Sequence, residues 1–159
     1  MEGWREFFAA ELGAAAALAG LVIVGISINV ERILASPRLP GRAAETLVTP
    51  TGVLVAATYC LVPDQPDWLL GAELISTGLA MWAVPTVIQV RARRAGAEAN
   101  YPFWPRILLT QFSSLPFIVA GALMAIHATG AVYWLVPGIV VSLIATVLNA
   151  WVLLVEILR

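Results

Sequence analysis

Lysine is absent from this sequence, so all nine basic residues are arginine, and charged residues of both signs make up only 12% of the chain. Cysteine and histidine occur once each, as Cys60 and His127. A lone cysteine excludes an internal disulfide and a thiolate metal cluster, and inside an apolar run it reads as a small packing residue. A lone histidine cannot supply both axial ligands of a haem, and His127 has no sequence neighbour at metal-ligand spacing. No cofactor or metal is expected. The patterns HExxH, GxSxG, CxxC and the phosphate-binding glycine loop are also missing, which leaves no soluble type of enzyme in view. An enzyme working inside a membrane on Glu11, Glu73 and His127 is the one catalytic arrangement these residues leave open.

What is abundant is apolar side chain, at 60% of the sequence. It is gathered into five long stretches, at about 7–30, 46–62, 68–90, 107–128 and 132–158. Each approaches the ~20 residues that carry a helix across ~30 Å of hydrocarbon at 1.5 Å per residue. The 159 residues then hold one transmembrane domain, 1–159, and little else. Bilayer hydrocarbon offers no water to unpaired backbone groups, and the stretches lack the apolar/polar alternation of a barrel strand. The expected fold is therefore all-α, a polytopic membrane bundle of five helices. The first stretch reads as a permanent helix and not a cleaved signal: Glu2, Arg5 and Glu6 give no net positive start, and the apolar run outlasts a signal core. The lipid bilayer is thus the first partner. A net charge of -1 spread in this way points to no nucleic acid.

Arginine fixes the expected orientation. The connection Glu31 to Glu45 carries Arg32, Arg38 and Arg42, and the connection Arg91 to Arg106 carries Arg91, Arg93, Arg94 and Arg106. The other two, Pro63 to Asp67 and Thr129 to Gly130, carry none. By the positive-inside bias the arginine-bearing side is cytoplasmic, which places the N-terminus outside and Arg159 inside. Only Arg5 dissents, flanked by Glu2 and Glu6. Trp4, Trp68, Tyr101, Trp104 and Trp134 fall at expected interfaces, whereas Trp82 and Trp151 lie deeper and read as packing residues.

The first helix carries two unusual stripes. At 100° per residue Ala9, Gly13, Ala16, Gly20 and Ser27 align as a small-residue surface on which another helix can approach closely. A tight contact is expected there. Opposite lie Glu11, Leu18, Val22, Gly25 and Asn29, which include a carboxylate and an amide that should not face lipid. A helix with two such faces belongs in the middle of a bundle or at a subunit interface, and self-association through this helix is the favoured reading.

Polar residues inside the stretches fall at two levels. Glu6, Glu11, Glu73, Ser76, Thr77 and His127 lie toward the outer side. Ser27, Asn29, Thr86, Gln89, Thr110, Gln111, Ser113, Ser114, Asn149 and Glu156 lie toward the inner side. From these, Glu11, Glu73, Ser76, Thr77, Asn29, Gln111, Ser114 and Asn149 are the candidates for lining a transport path. A carboxylate in a span costs several kcal/mol unless it is paired, hydrated or protonated, which favours a role for Glu11 and Glu73. Both lie within ~7 to 12 Å of a helix end by helical rise, so interfacial solvation or an interhelical hydrogen bond serves equally well. The hydroxyl and amide residues read equally as glue between helices, and His127 as an interface residue. Pro85 and Pro116 break the third and fourth helices near mid-depth, freeing the carbonyls of Met81 and Phe112.

Between the first two helices runs Gly25-Ile26-Ser27-Ile28-Asn29-Val30-Glu31-Arg32-Ile33-Leu34, followed by Leu39-Pro40-Gly41-Arg42-Ala43-Ala44-Glu45. This run resembles a group of small bacterial multi-pass membrane proteins of unsettled function, some of them labelled modulators of a membrane-bound protease. The resemblance covers about a quarter of the chain. It implies a multi-pass protein of the bacterial inner (plasma) membrane. By chemistry, Glu31, Arg32, Arg42 and Glu45 bring opposite charges to a cytoplasmic mouth, with Pro37 and Pro40 stiffening the connection. They form either a charged hairpin holding two helices in register or a gate or docking surface. A homo-oligomeric, channel-like protein for cations or protons is the leading functional expectation, since acidic residues gather outside and arginine inside. The alternative is an accessory or scaffold subunit of a larger membrane complex.

Overall fold

Side-chain hydroxyls are handled locally: Ser27, Thr58 and Thr86 each donate to the carbonyl four residues back, at 2.6–2.8 Å, on Ile23, Leu54 and Trp82. Such back-bonding lets a helix carry Ser and Thr on an apolar surface without a second partner. The result, in a computed structural model that describes residues 2–94 and 103–158, is helix almost throughout. The elements are α1 (Arg5–Ile28), α2 (Val30–Ala35), α3 (Leu39–Leu61), α4 (Asp67–Arg94), α5 (Phe103–Ala125) and α6 (Leu135–Leu158). Single 3-10 turns, Glu2–Trp4 and Ala131–Trp134, precede α1 and α6. Five of these segments are long and apolar enough to cross a membrane, α2 being the exception.

Pairings at the two ends give the long helices an up-and-down course. At one end His127 Nδ1 meets Asp67 Oδ2 at 3.2 Å, joining the turn after α5 to the start of α4. At the same end Trp4 packs edge-on against Tyr133 with centroids 4.9 Å apart, joining the starts of α1 and α6. Arg42 and Arg106 lie at the opposite end. There Arg42 of α3 meets Glu156 of α6, and Glu45 of α3 meets Arg106 of α5.

α3 is the central helix, packing against α1, α4 and α6. Half of its apolar window is buried (50%), against 22% for α1. A continuous core runs through the bundle from Phe8 and Ala15 of α1 through Val53 and Ala57 of α3 to Leu74 of α4, Phe117 of α5 and Ile139 of α6. α4 and α5 form the most intimate pair. A Cβ built on Gly121 would stand 2.5 Å from the Gly71 carbonyl oxygen, and one on Gly71 would stand 2.7 Å from that of Gly121. The two backbones touch, as they can only where both positions lack a side chain.

Several expectations from the sequence are corrected. α3 begins at Leu39, not near 46, so Arg42 and Glu45 stand inside a helix. Pro40 allows this because a first-turn proline lacks only an N–H that a helix leaves unbonded anyway. Residues 30–35 of the supposed connection form α2, and α5 begins at Phe103, which takes Arg106 into its first turn. Pro85 and Pro116 do not break their helices, and Pro50 lies inside α3 in the same way. Trp82 and Trp151, read as packing residues, are 39% and 68% exposed. The small-residue stripe of α1 makes no tight contact within the chain, because α1 turns Phe8, Ala15, Ala19 and Val22 toward the bundle instead. Ala97, Tyr101 and Arg159 lie outside the described residues.

Candidate functional site

The strongest concentration of buried polar chemistry sits at the arginine end, where α3, α4, α5 and α6 converge. Glu45 is 6% exposed and is held by two donors. Arg106 Nη2 donates to its Oε2 at 2.5 Å, and the amide nitrogen of Gln89 donates to its Oε1. Gln89 is fully buried and also donates to Thr110 Oγ1 at 3.1 Å. Thr110 in turn donates to the Arg106 carbonyl at 3.0 Å, so the cluster closes on itself. Two turns of neighbouring helix extend it. Ser113 and Ser114 donate to the Thr110 carbonyl at 3.0 and 2.7 Å, and Ser142 of α6 reaches the Ser113 carbonyl at 3.3 Å.

Each member is placed by helix register. Arg42 and Glu45 are three residues apart near the start of α3, close enough in angle to face one interior yet far enough apart to reach different helices. Arg42 Nη1 donates to Glu156 Oε1 at 2.7 Å across to α6. Arg106 and Thr110 are four apart on α5, and so lie one above the other. Every formal charge in the cluster therefore has an opposite charge on another helix. A buried guanidinium–carboxylate pair of this kind is strongly destabilising to break and geometrically exacting to keep.

Of the residues singled out at the cytoplasmic mouth, Arg42 and Glu45 turn inward, whereas Glu31 and Arg32 lie exposed on α2. The transport candidates do not gather at one place. Glu73 is half-buried and accepts from the side-chain amide of Gln65, while Ser76 and Thr77 both donate to the Glu73 backbone carbonyl at 2.8 Å. Asn29 donates to Gly25 within its own turn at 2.9 Å. Ser114 belongs to the buried cluster, Asn149 borders it, and Gln111 is half-buried beside it on α5. Glu11 is half-buried on α1, and its Oε2 is shielded without a hydrogen-bond partner. Glu11, Glu73 and His127 lie on different segments with separate surroundings. Ala9, Gly13, Ala16 and Gly20 are all exposed, and a Cβ on Gly13 or Gly20 would meet nothing within 4 Å.

Sequence reasoning put Gln89, Arg106, Thr110 and Glu156 in the background. The available signal was the pairing of opposite charges just inside the ends of apolar stretches. It was masked by assigning Arg106 and Glu45 to loops. Two apolar furrows open on the surface of the described residues, one of about 420 Å³ between α3 and α4 and one of about 270 Å³ between α1 and α6.

The residues thus define an all-helical bundle of five long apolar helices latched at one end by a buried, charge-neutral polar cluster. No protein-family model, curated protein or solved structure matches this chain.

Proposed function

We propose that this protein is a multi-pass integral membrane protein, N-terminus outside and arginine end in the cytoplasm, that self-associates through α1 and serves as an accessory or scaffold subunit of a membrane complex. The observation that carries this reading is the placement of α1. A helix bearing aligned Ala9, Gly13, Ala16 and Gly20 lies at the edge of the bundle and leaves that stripe open. In lipid, small-residue stripes let helices approach to backbone contact, and here the approaching helix must come from outside the chain. Support for a structural role comes from the ionisable groups at the arginine end, where Glu45 pairs with Arg106 and Glu156 with Arg42.

Two results test the assembly. Gly13→Leu or Gly20→Leu is expected to leave the monomer folded, since open space surrounds both positions, while converting an oligomer to monomer in mild detergent and in lipid nanodiscs. A wild-type protein that is monomeric in both media, measured by light scattering, ends the reading. Orientation is tested by single cysteines on a Cys60→Ser background: labels at Asp64 and Thr129 should react with an impermeant reagent from outside, and one at Ser36 should not. Ala97, beyond the described residues, is expected to be protected as well.

A second reading has one observation in its favour. Glu11 carries a shielded, unpartnered carboxylate oxygen on the face of α1 opposite the small-residue stripe, so a cation or proton path within the bundle, away from the α1 interface, has a carboxylate to use. Cation and proton flux should be measured in liposomes holding only this protein. The scaffold reading expects no flux above protein-free vesicles. Flux that falls with Glu11→Gln but not with Glu73→Gln establishes channel-like transport instead.

A further inference from the structure

A small cavity lies against the Glu45 cluster, bordered by Glu45, Thr49, Thr110, Ser113 and Asn149, side chains that all carry oxygen. It offers about 10 Å³ to the centre of a water-sized sphere, which is the room one water molecule needs. Polar surface exceeds apolar surface in its walls, and an apolar void of this size would stay dry where a polar one does not.

One acceptor in the same cluster lacks a protein partner. Gln89 Oε1 is buried and accepts no hydrogen bond, although its residue is fully enclosed. Pro85, which also borders the cavity with Met81, has no N–H to offer the Met81 carbonyl. A buried acceptor left in this way is stabilised by an added donor. Charge then decides what kind of occupant fits. Glu45 is already balanced by Arg106 at 2.5 Å, so a cation in the cavity would leave an uncompensated buried charge, and an anion would face the Glu45 carboxylate. A neutral donor and acceptor of one heavy atom satisfies size and charge together.

We propose that this cavity is a binding site for a single water molecule, which hydrogen-bonds the Glu45 carboxylate and ties Asn149 of α6 to Thr49 of α3 and Thr110 of α5. The inference stands apart from the self-association reading and does not depend on it. Bound internal water has a chemical signature, because hydroxyl radicals generated from it oxidise the side chains it touches even where bulk solvent does not reach. Met81 and Met124 make an internal comparison: they are 3% and 6% exposed, and Met124 sits in the apolar core away from the cavity.

The experiment is pulsed hydroxyl-radical footprinting of the folded protein in nanodiscs, with oxidation at each methionine read by mass spectrometry. Met81 is expected to oxidise at least five-fold faster than Met124. Thr49→Ile, which fills the cavity with a methyl group, should bring Met81 down to the Met124 rate. Thr49 does not border the apolar furrow that Met81 also touches, so this loss reports the cavity alone. Asn149→Leu gives the same reading should Thr49→Ile not fold. Equal rates at the two methionines, or a Met81 rate unchanged by the filling variants, overturns the proposal. Protection of Met81 by sodium chloride but not by choline chloride would place a cation there and overturn it as well.

Discussion

Glu45→Ala is expected to destabilise the folded bundle by about 3–5 kcal/mol, the cost typical of removing one partner from a buried ion pair. Its carboxylate accepts from both Arg106 and Gln89, so one substitution removes the acceptor of a guanidinium and of a fully buried amide together. Desolvating the guanidinium is then no longer offset, which is where most of the loss arises. Reversible unfolding in mixed micelles, followed by far-ultraviolet circular dichroism, measures the change. The double variant Glu45→Leu with Arg106→Leu should recover most of it, because two apolar side chains carry no charge to desolvate. A single variant within 1 kcal/mol of wild type would mean that water or lipid headgroups solvate the pair and that the cluster latches nothing.

Gly121→Ala is expected to be damaging as well, although it adds one methyl group. That carbon would stand 2.5 Å from the Gly71 carbonyl oxygen and 2.9 Å from the Ile75 backbone nitrogen. Backbone atoms cannot turn aside as a side-chain tip can, so α4 and α5 must separate along their length. Overpacking of this kind costs about 1–3 kcal/mol and sometimes more, and Gly71→Ala should behave alike. Gly13→Ala and Gly20→Ala are the controls. With open space around both and alanine the better helix former by about 0.5–1 kcal/mol, each should be neutral or stabilising in a monomer. Unfolding free energies of the four variants decide the matter, and a Gly121→Ala protein as stable as Gly13→Ala would contradict the close approach.

These glycines also mark how far the sequence could be read. Helix existence was legible because apolar runs of this length have one backbone solution in lipid, and the five stretches all reappear as helices. Helix ends were less so. Glu45 and Arg106 read as loop residues because in sequence a charge marks the end of a span, whereas each is neutralised by the other from across the bundle. Pairwise satisfaction of that kind is invisible until the helices are placed side by side. The same holds for small residues. Gly13 and Gly20 form the tidier stripe in sequence, yet the tight packing within the chain is at Gly71 and Gly121, because which stripe is used depends on which neighbour arrives. Glu11 and Glu73 were singled out by type and depth alone, and those give no hint that Glu73 is held by Gln65 from the adjacent turn.

The Arg42–Glu156 bridge spans 114 positions of the chain. During synthesis at roughly 5–20 residues per second, several seconds or more separate the appearance of the arginine from that of its carboxylate. The central helix therefore enters the growing bundle before its last electrostatic contact exists. The bridge closes only after the turn of α6 that carries Glu156 has been made.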